Sequence, residues 1–376
     1  MLSADEVTLL LRELIRIPSR SYEEANIADY IQTYLHKSRA ETWSDRNGNV
    51  FAKIGSGHPV LLLHAHMDTV PEGEGWEKDP FGAEIIDNHI YGRGACDVKG
   101  GLAAMLAAFV HVAQSGRPLK GTLIFGAFVR EEISPPSSKG TMLALSDGFT
   151  ADMAIVAEPT SLLPCIAQIG RTEYKVTVKG RAAHANTPEM GLNAISKMAE
   201  LINEMERKIQ RPYSDILGRY STFNIGTIEG GIVSNIVPEQ CSILIDRGLV
   251  PGQSAEDSLH EIRTIIEDVI KDSSYSYELT VPYQGFPAEI NSNEPVVQHL
   301  LANIKKHAHS AATPIGFVSH CDADWLITYG KIPSVIFGPG DLKVAHTNHE
   351  YVDLNEVALA AQILTDTVLD ILYNNN

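Results

Sequence analysis

The sequence predicts an α/β fold with a smaller domain inserted into it, and three observations carry the prediction. First, four short apolar runs, at residues 60–63, 122–129, 153–157 and 334–337, read as buried strands, and a small-residue apolar helix at 100–113 lies between two of them. Strands alternating with helices make an α/β sandwich. Second, reactive side chains follow these runs: His66 and Asp68 after the first, Glu131 and Glu132 after the second, Glu158 after the third, and His346 in the loop beyond the fourth. The carboxyl ends of strands line the ligand crevice of open α/β sheets, so these distant segments are expected to converge. Third, between 172 and 285 the pattern changes to strand, helix, strand, strand, helix, strand.

Each element has a local reason. Ser3-x-x-Glu6 is a capping-box pattern, and Val7, Leu10, Leu11, Leu14 and Ile15 recur at helical spacing, so the chain opens with an amphipathic helix that covers the sheet. In the middle stretch, 172–179 alternates as a strand, 192–209 is helical, 221–228 and 241–247 are strands, 255–271 is helical and 276–281 is a strand. That is the ferredoxin-like β-α-β-β-α-β order. The expected organisation is therefore a larger domain of residues 1–171 and 286–376, interrupted by an insert of 172–285.

Composition narrows the function. The chain has 376 residues, 44% of them hydrophobic and 20% charged, as in a soluble globular protein, and a formal net charge of −17. Such a balance argues against a partner with a phosphate backbone or a surface of anionic lipid, since both need clustered Lys and Arg. No run is long enough to span a bilayer. The N-terminus lacks the basic and apolar regions of a secretory signal, so a cytoplasmic location is expected. The four cysteines, Cys96, Cys165, Cys241 and Cys321, include no C-x-x-C pair, which fits reduced thiols rather than a disulfide framework or a thiolate zinc site.

The reactive segments have a common chemistry. In His64-Ala65-His66-Met67-Asp68, a histidine that binds metal through one ring nitrogen usually has the other held by a carboxylate, so His66 and Asp68 form a sensible ligand and orienting partner. In isolation His-x-Asp is more often structural, and His64 is assigned to packing. Asp97, flanked by Gly92, Gly94, Gly100 and Gly101, sits where the backbone can turn sharply before a helix. It could bridge two cations there, or simply cap the helix. Glu131 and Glu132 come directly off an apolar strand, and adjacent buried carboxylates repel unless a cation or proton separates their roles. One could bind metal while its neighbour takes a proton from water; a solvated charge pair is the plain alternative. Glu158 in Glu158-Pro159 and His346 in Ala345-His346-Thr347-Asn348-His349-Glu350 complete an oxygen and nitrogen set suited to an open catalytic site, with His349 a competing ligand.

Together, His66-x-Asp68, Asp97 followed by Lys99-Gly100-Gly101, Glu131-Glu132, Glu158-Pro159 and Ala345-His346 resemble one family over nearly the whole chain. It is the family of co-catalytic zinc metallohydrolases that includes aminoacylase, acetylornithine deacetylase, succinyl-diaminopimelate desuccinylase and the glutamate-releasing carboxypeptidases. The resemblance implies a mixed-sheet αβα catalytic domain of zinc-exopeptidase type with an inserted lid or dimerisation domain. It implies two divalent ions, zinc foremost with cobalt or manganese as alternatives, bridged by Asp97, with His66 and Glu158 completing one site and Glu132 and His346 the other. Glu131 would be the general base and Asp68 the partner of His66. In the insert, His184 would polarise the scissile carbonyl, Asn235 would contact substrate and Arg247 would grip its carboxylate, a task for which a planar guanidinium fork is suited. Gly340, in Gly338-Pro339-Gly340-Asp341, is a further substrate-binding candidate. Aminopeptidase members tend to carry Asp where Glu158 stands, which favours the deacylase and carboxypeptidase branch.

The expected reaction is hydrolysis of an amide next to a free carboxylate, in an N-acyl amino acid or small peptide, by a water held between ions roughly 3.5–4 Å apart and deprotonated by Glu131. A homodimer through the insert is expected by the same resemblance. The alternatives are an aminopeptidase or dipeptidase of the same family and a non-catalytic metal-binding homologue. His320-Cys321-Asp322-Ala323-Asp324 departs from the Gly-Thr-Asp-like stretch of relatives and could reshape the pocket.

Overall fold

The computed structural model describes residues 3–38, 40–132, 135–271, 274–309 and 311–373. The chain divides into two compact units, one formed by Met1–Ala167, Glu289–Phe317 and Cys321–Asn376 and the other by Gln168–Ala288 with Val318–His320. The second unit contains the whole 172–285 stretch.

In the first unit the described residues form a nine-stranded mixed sheet. Its centre is parallel: Val60–His66 lies between Thr122–Phe128 and Met153–Val156, and Ser334–Ile336 runs parallel to Met153–Val156. These are the four apolar runs. Thr122–Phe128 is buried at every position, as a strand covered on both faces must be. Val50–Gly55 and Glu41–Ser44 extend one side antiparallel, and Cys165–Gln168 pairs antiparallel with Ser334–Ile336 on the other.

The helices Ala4–Arg16, Gly100–Gln114 and Leu354–Tyr373 pack on one another. Contrary to the expectation that no run is long enough to span a bilayer, the apolar stretch Ala95–Gln114 has the length and composition to do so, yet 94% of its most apolar part is buried inside the protein. Gly101 lets its helix approach the end of the third parallel strand: a Cβ there would lie 2.9 Å from that of Ala157. The expected capping box does not form. Ser3 occupies the N-cap position with extended backbone angles, but its side chain makes no cap hydrogen bond.

The second unit has the order Gly170–Lys179, Ala194–Lys208, Thr222–Gly230, Gln240–Leu249, Ala255–Ile270, Ser276–Gln284. Among the described residues its antiparallel sheet runs Thr222–Gly230, Gln240–Leu249, Gly170–Lys179, Ser276–Gln284, the ferredoxin-like arrangement. Tyr174, Val176 and Val178 alternate onto one face with Ile243 and Ile245, and bury against Met198, Leu201, Ile262 and Ile266 of the two helices. Both helices start on capping side chains: Asn193 accepts the amide of Ser196, and Ser254 that of Asp257. A short hairpin, Tyr213–Ser214 with Arg219–Tyr220, was not anticipated from the sequence.

Candidate active site

The parallel strands deliver the reactive residues. His66 ends its strand, Glu131 and Glu132 follow Thr122–Phe128, and Glu158 follows Met153–Val156, so all emerge at the carboxyl edge of the sheet. Asp97 comes from the turn before Gly100–Gln114, and His346 from the loop after Leu342–Val344, with a left-handed φ of 61°.

Five of these side chains gather into two overlapping groups. Ligand-type atoms of His66, Asp97 and Glu158 lie within 4.8 Å of one another, as do those of Asp97, Glu132 and His346. Asp97 belongs to both groups. Its Oδ1 is 3.1 Å from His66 Nε2 and its Oδ2 is 3.4 Å from His346 Nε2. Glu132 reaches the same His346 nitrogen at 3.1 Å.

Charges in this cluster are strongly perturbed. Burial pushes Glu132 up to about 8, with repulsion from Asp97 adding to it. Burial and the neighbouring Asp97 hold Glu158 well above the usual carboxylate range. Burial opposes ionisation of Asp97 too, but hydrogen bonds from His346 and His66 override it and hold that carboxyl low. Hydrogen bonds to Asp97 and Glu132 push His346 up to about 10. Burial alone would lower His66, and its contacts with Asp68 and Asp97 reverse the effect. Three carboxylates and two imidazoles therefore crowd a site where each carboxylate penalises the next, and a divalent cation in each group would remove that penalty. The donor set is nitrogen and oxygen without thiolate, which fits zinc-like ions in a catalytic setting. The cluster could hold metal.

Asp68 has a wider role than the sequence suggested. His66 Nδ1 is 2.9 Å from the backbone carbonyl of Asp68 and 3.6 Å from its carboxylate. The carboxylate instead accepts the amides of Glu131 and Glu132, at 2.9 and 3.1 Å, and the Ser21 hydroxyl at 2.6 Å. It thus sets the backbone of the tandem glutamates. Glu350 was missed: fully buried, it accepts the amides of Cys96 and Asp97 and the guanidinium of Arg93. Its only signal in the sequence was its place four residues after His346. His349 is exposed and bonds Asn348, and it joins neither group. His64 packs flat against Phe128, with ring centres 4.1 Å apart.

Two expected substrate contacts are corrected. Arg247 lies in phase with Cys241, Ile243 and Ile245 on the helix-covered face of its sheet and is 0% exposed. Its guanidinium donates to the carbonyls of Gln210 and Thr222 and to the Ser221 hydroxyl and lies 3.7 Å from the Glu261 carboxylate, so it ties down the two ends of the unanticipated hairpin and is committed within its own unit. Gly340 has its amide bonded to Glu356 and its carbonyl to Ser161. Its requirement is steric: φ is +95°, and a Cβ would sit 2.6 Å from Cys96 Sγ. In the second unit, the segments of His184 and Asn235 pair. Ala185 donates to the Asn235 carbonyl, and His184 bridges to Ile236, leaving both side chains exposed.

Comparison with known proteins gives a consistent picture. A protein of Pyrobaculum aerophilum, provisionally named a LysW-lysine/LysW-ornithine hydrolase, is 30% identical with 96% of each chain covered. A Staphylococcus epidermidis protein, provisionally named a succinyl-diaminopimelate desuccinylase, is 27% identical with 94% of each covered. Among solved structures, a tripeptidase of Staphylococcus aureus superposes with a TM-score of 0.82 at 24% identity over 99% of each chain, a likeness of fold. The model of peptidase family M20/M25/M40 matches residues 62–370, which takes in every member of the acidic and imidazole cluster. By that match the chain belongs to peptidase family M20/M25/M40 and is a hydrolase of carbon–nitrogen bonds.

Proposed function

We propose that the protein hydrolyses the amide bond of an N-acyl amino acid or small peptide, using one divalent ion held by His66, Asp97 and Glu158 and a second held by Asp97, Glu132 and His346. The observation that carries this reading is the division of the Asp97 carboxylate, one oxygen toward each histidine. Zinc is the first choice for both ions, with cobalt or manganese as replacements. When bound, such ions polarise a carbonyl and lower the pKa of water toward about 7.

The residues of the chain do the rest. Glu131 takes the proton of the attacking water and returns it to the leaving amine. Asp68 keeps Glu131 and Glu132 in register, and fixes His66 through its carbonyl. His184 donates to the developing oxyanion, a contribution of typically about 3–4 kcal/mol per donor, and Asn235 contacts substrate. Exposed Ile228, Ile232, Val233 and Ile236 on and beside the outer strand of the second unit support a homodimer through that unit.

The second reading is cleavage of unblocked di- or tripeptides; because Arg247 is committed to backbone carbonyls, the carboxylate that both substrate classes carry would need a different partner. A panel of N-acetyl, N-succinyl and N-formyl amino acids and free peptides, assayed with zinc, cobalt or manganese and after chelation, tests both. Turnover that survives complete metal removal would end the proposal; turnover confined to free peptides selects the second reading.

A further inference from the structure

Beside the acidic cluster, within the first unit, a run of buried polar groups starts at Glu131 and leads away from it. Lys139 Nζ donates to Glu131 Oε1 at 2.7 Å and also to the Glu131 carbonyl. The same nitrogen lies 3.7 Å from Asp322 Oδ1. Asp322 Oδ2 accepts the Thr141 hydroxyl at 2.6 Å, and Thr141 Oγ1 is 2.7 Å from His64 Nε2. Because the threonine hydrogen goes to the carboxylate, His64 must donate through Nε2. Lys139 and Asp322 are 2% and 1% exposed.

An ammonium buried between two carboxylates adds little net stability, since desolvation offsets most of the attraction. Its geometric effect is direct. The Glu131 amide is held by Asp68, its carbonyl and one carboxyl oxygen by Lys139, so the side chain is fixed with Oε2 presented. The end of strand Val60–His66, the start of helix Gly140–Ser146 and the 320–324 segment supply these restraints, and that segment is the one that departs from the family pattern.

We propose that Lys139, anchored by Asp322, is a positioning residue that aims the Glu131 carboxylate at the reacting water. Asp322 keeps the ammonium from swinging away, and Thr141 with His64 keeps Asp322 in place. The inference rests on Glu131 being the base.

The test compares K139M, K139R, D322N and E131Q for kcat, KM, metal content, metal affinity of the chelated protein and denaturation midpoint. K139M is expected to lower kcat by about 100-fold with KM changed less than about three-fold and metal content and affinity as in the parent. K139R restores at least about a tenth of the lost kcat, because it keeps a donor in reach of Glu131. D322N, which retains the lysine, lowers kcat less than K139M and covers the case in which K139M does not fold. Parental kcat in K139M or in D322N overturns the inference, as does a kcat loss matched by loss of metal. An active E131Q removes the base reading itself, whereas an inactive E131Q beside a fully active K139M removes only the role of Lys139.

Discussion

Glu350 Oε1 accepts the amide hydrogen of Asp97 at 3.0 Å across 253 residues of sequence. The turn that projects Asp97 is therefore held by the segment that also supplies His346, and the cluster is organised from two ends of the chain at once. Glu350 also neutralises Arg93, which is itself buried. Glu350→Ala leaves that guanidinium without its carboxylate, and about 3–5 kcal/mol of stability should be lost, as for buried pairs broken on one side. Glu350→Gln keeps an acceptor for the two amides and should lose less. Urea denaturation of both variants, with metal affinity measured alongside, checks this; a Glu350→Ala protein as stable as the parent would contradict it.

Adjacent glutamates should separate in function. Glu132 approaches His346 and Asp97, whereas Glu131 is turned to Lys139. Glu131→Gln is expected to keep metal content while kcat falls by at least about 10²-fold, the lower range for a lost general base. Glu132→Gln should weaken metal binding as well. Metal analysis of the two purified variants, followed by rate assays at saturating metal, distinguishes them, and equal activity in Glu131→Gln and the parent would end the assignment.

The metal-free protein should lose stability as pH rises from neutrality. His346 is raised from 6.5 to about 10 by its bonds to Asp97 and Glu132, and Glu132 from 4.5 to about 8 by burial. Each binds its proton more tightly folded than unfolded. The stabilisation is thus full below the unfolded values and disappears as pH climbs through about 8 and then about 10. His346 is 49% exposed, which mutes its share. Asp97 shifts the other way and matters only in acid. Metal ions displace the same protons, so affinity should rise over this interval and binding should release protons. Calorimetric titrations in buffers of different ionisation enthalpy measure that release, and a pH-independent affinity between 6.5 and 10 would refute it.

What the sequence made legible follows from periodicity and strand order. Residues after four apolar runs had to meet at one sheet edge once those runs paired in parallel, and the pairings of Val60–His66 on both sides bring them there. The insert was legible because each of its strands alternates while its helices do not. Two residues were hidden. Glu350 and Lys139 act through contacts set by tertiary packing, and a lone Glu or Lys has no spacing to betray it. Arg247 matched a family pattern, but strand alternation already placed it in phase with Ile243 and Ile245, toward the helices. Following that phase would have put it in the core. Ser3 shows the reverse failure, a good local pattern whose side-chain bond does not form.

Arg247 offers the sharpest contrast between a binding role and a structural one. A substrate grip removed by Arg247→Met would raise KM selectively for substrates with a carboxylate and leave the fold alone. The structure places the guanidinium among the half-buried Gln210 and Thr222 carbonyls, and truncation takes a charged donor from both, at about 1.5–3 kcal/mol for each hydrogen bond to a charged group. The expected result is a lower denaturation midpoint, faster proteolysis between residues 210 and 222, and parental KM in whatever protein remains folded. A variant of unchanged stability with a KM raised ten-fold or more, by a loss of about 1.4 kcal/mol or greater, would restore the carboxylate role. The hairpin would then have to be held by its own Tyr213 and Tyr220 contact, whose rings meet edge to face at 4.9 Å but are both exposed. An exposed ring pair of this kind contributes only about 0.5–1.5 kcal/mol, less than the two charged hydrogen bonds together would forfeit.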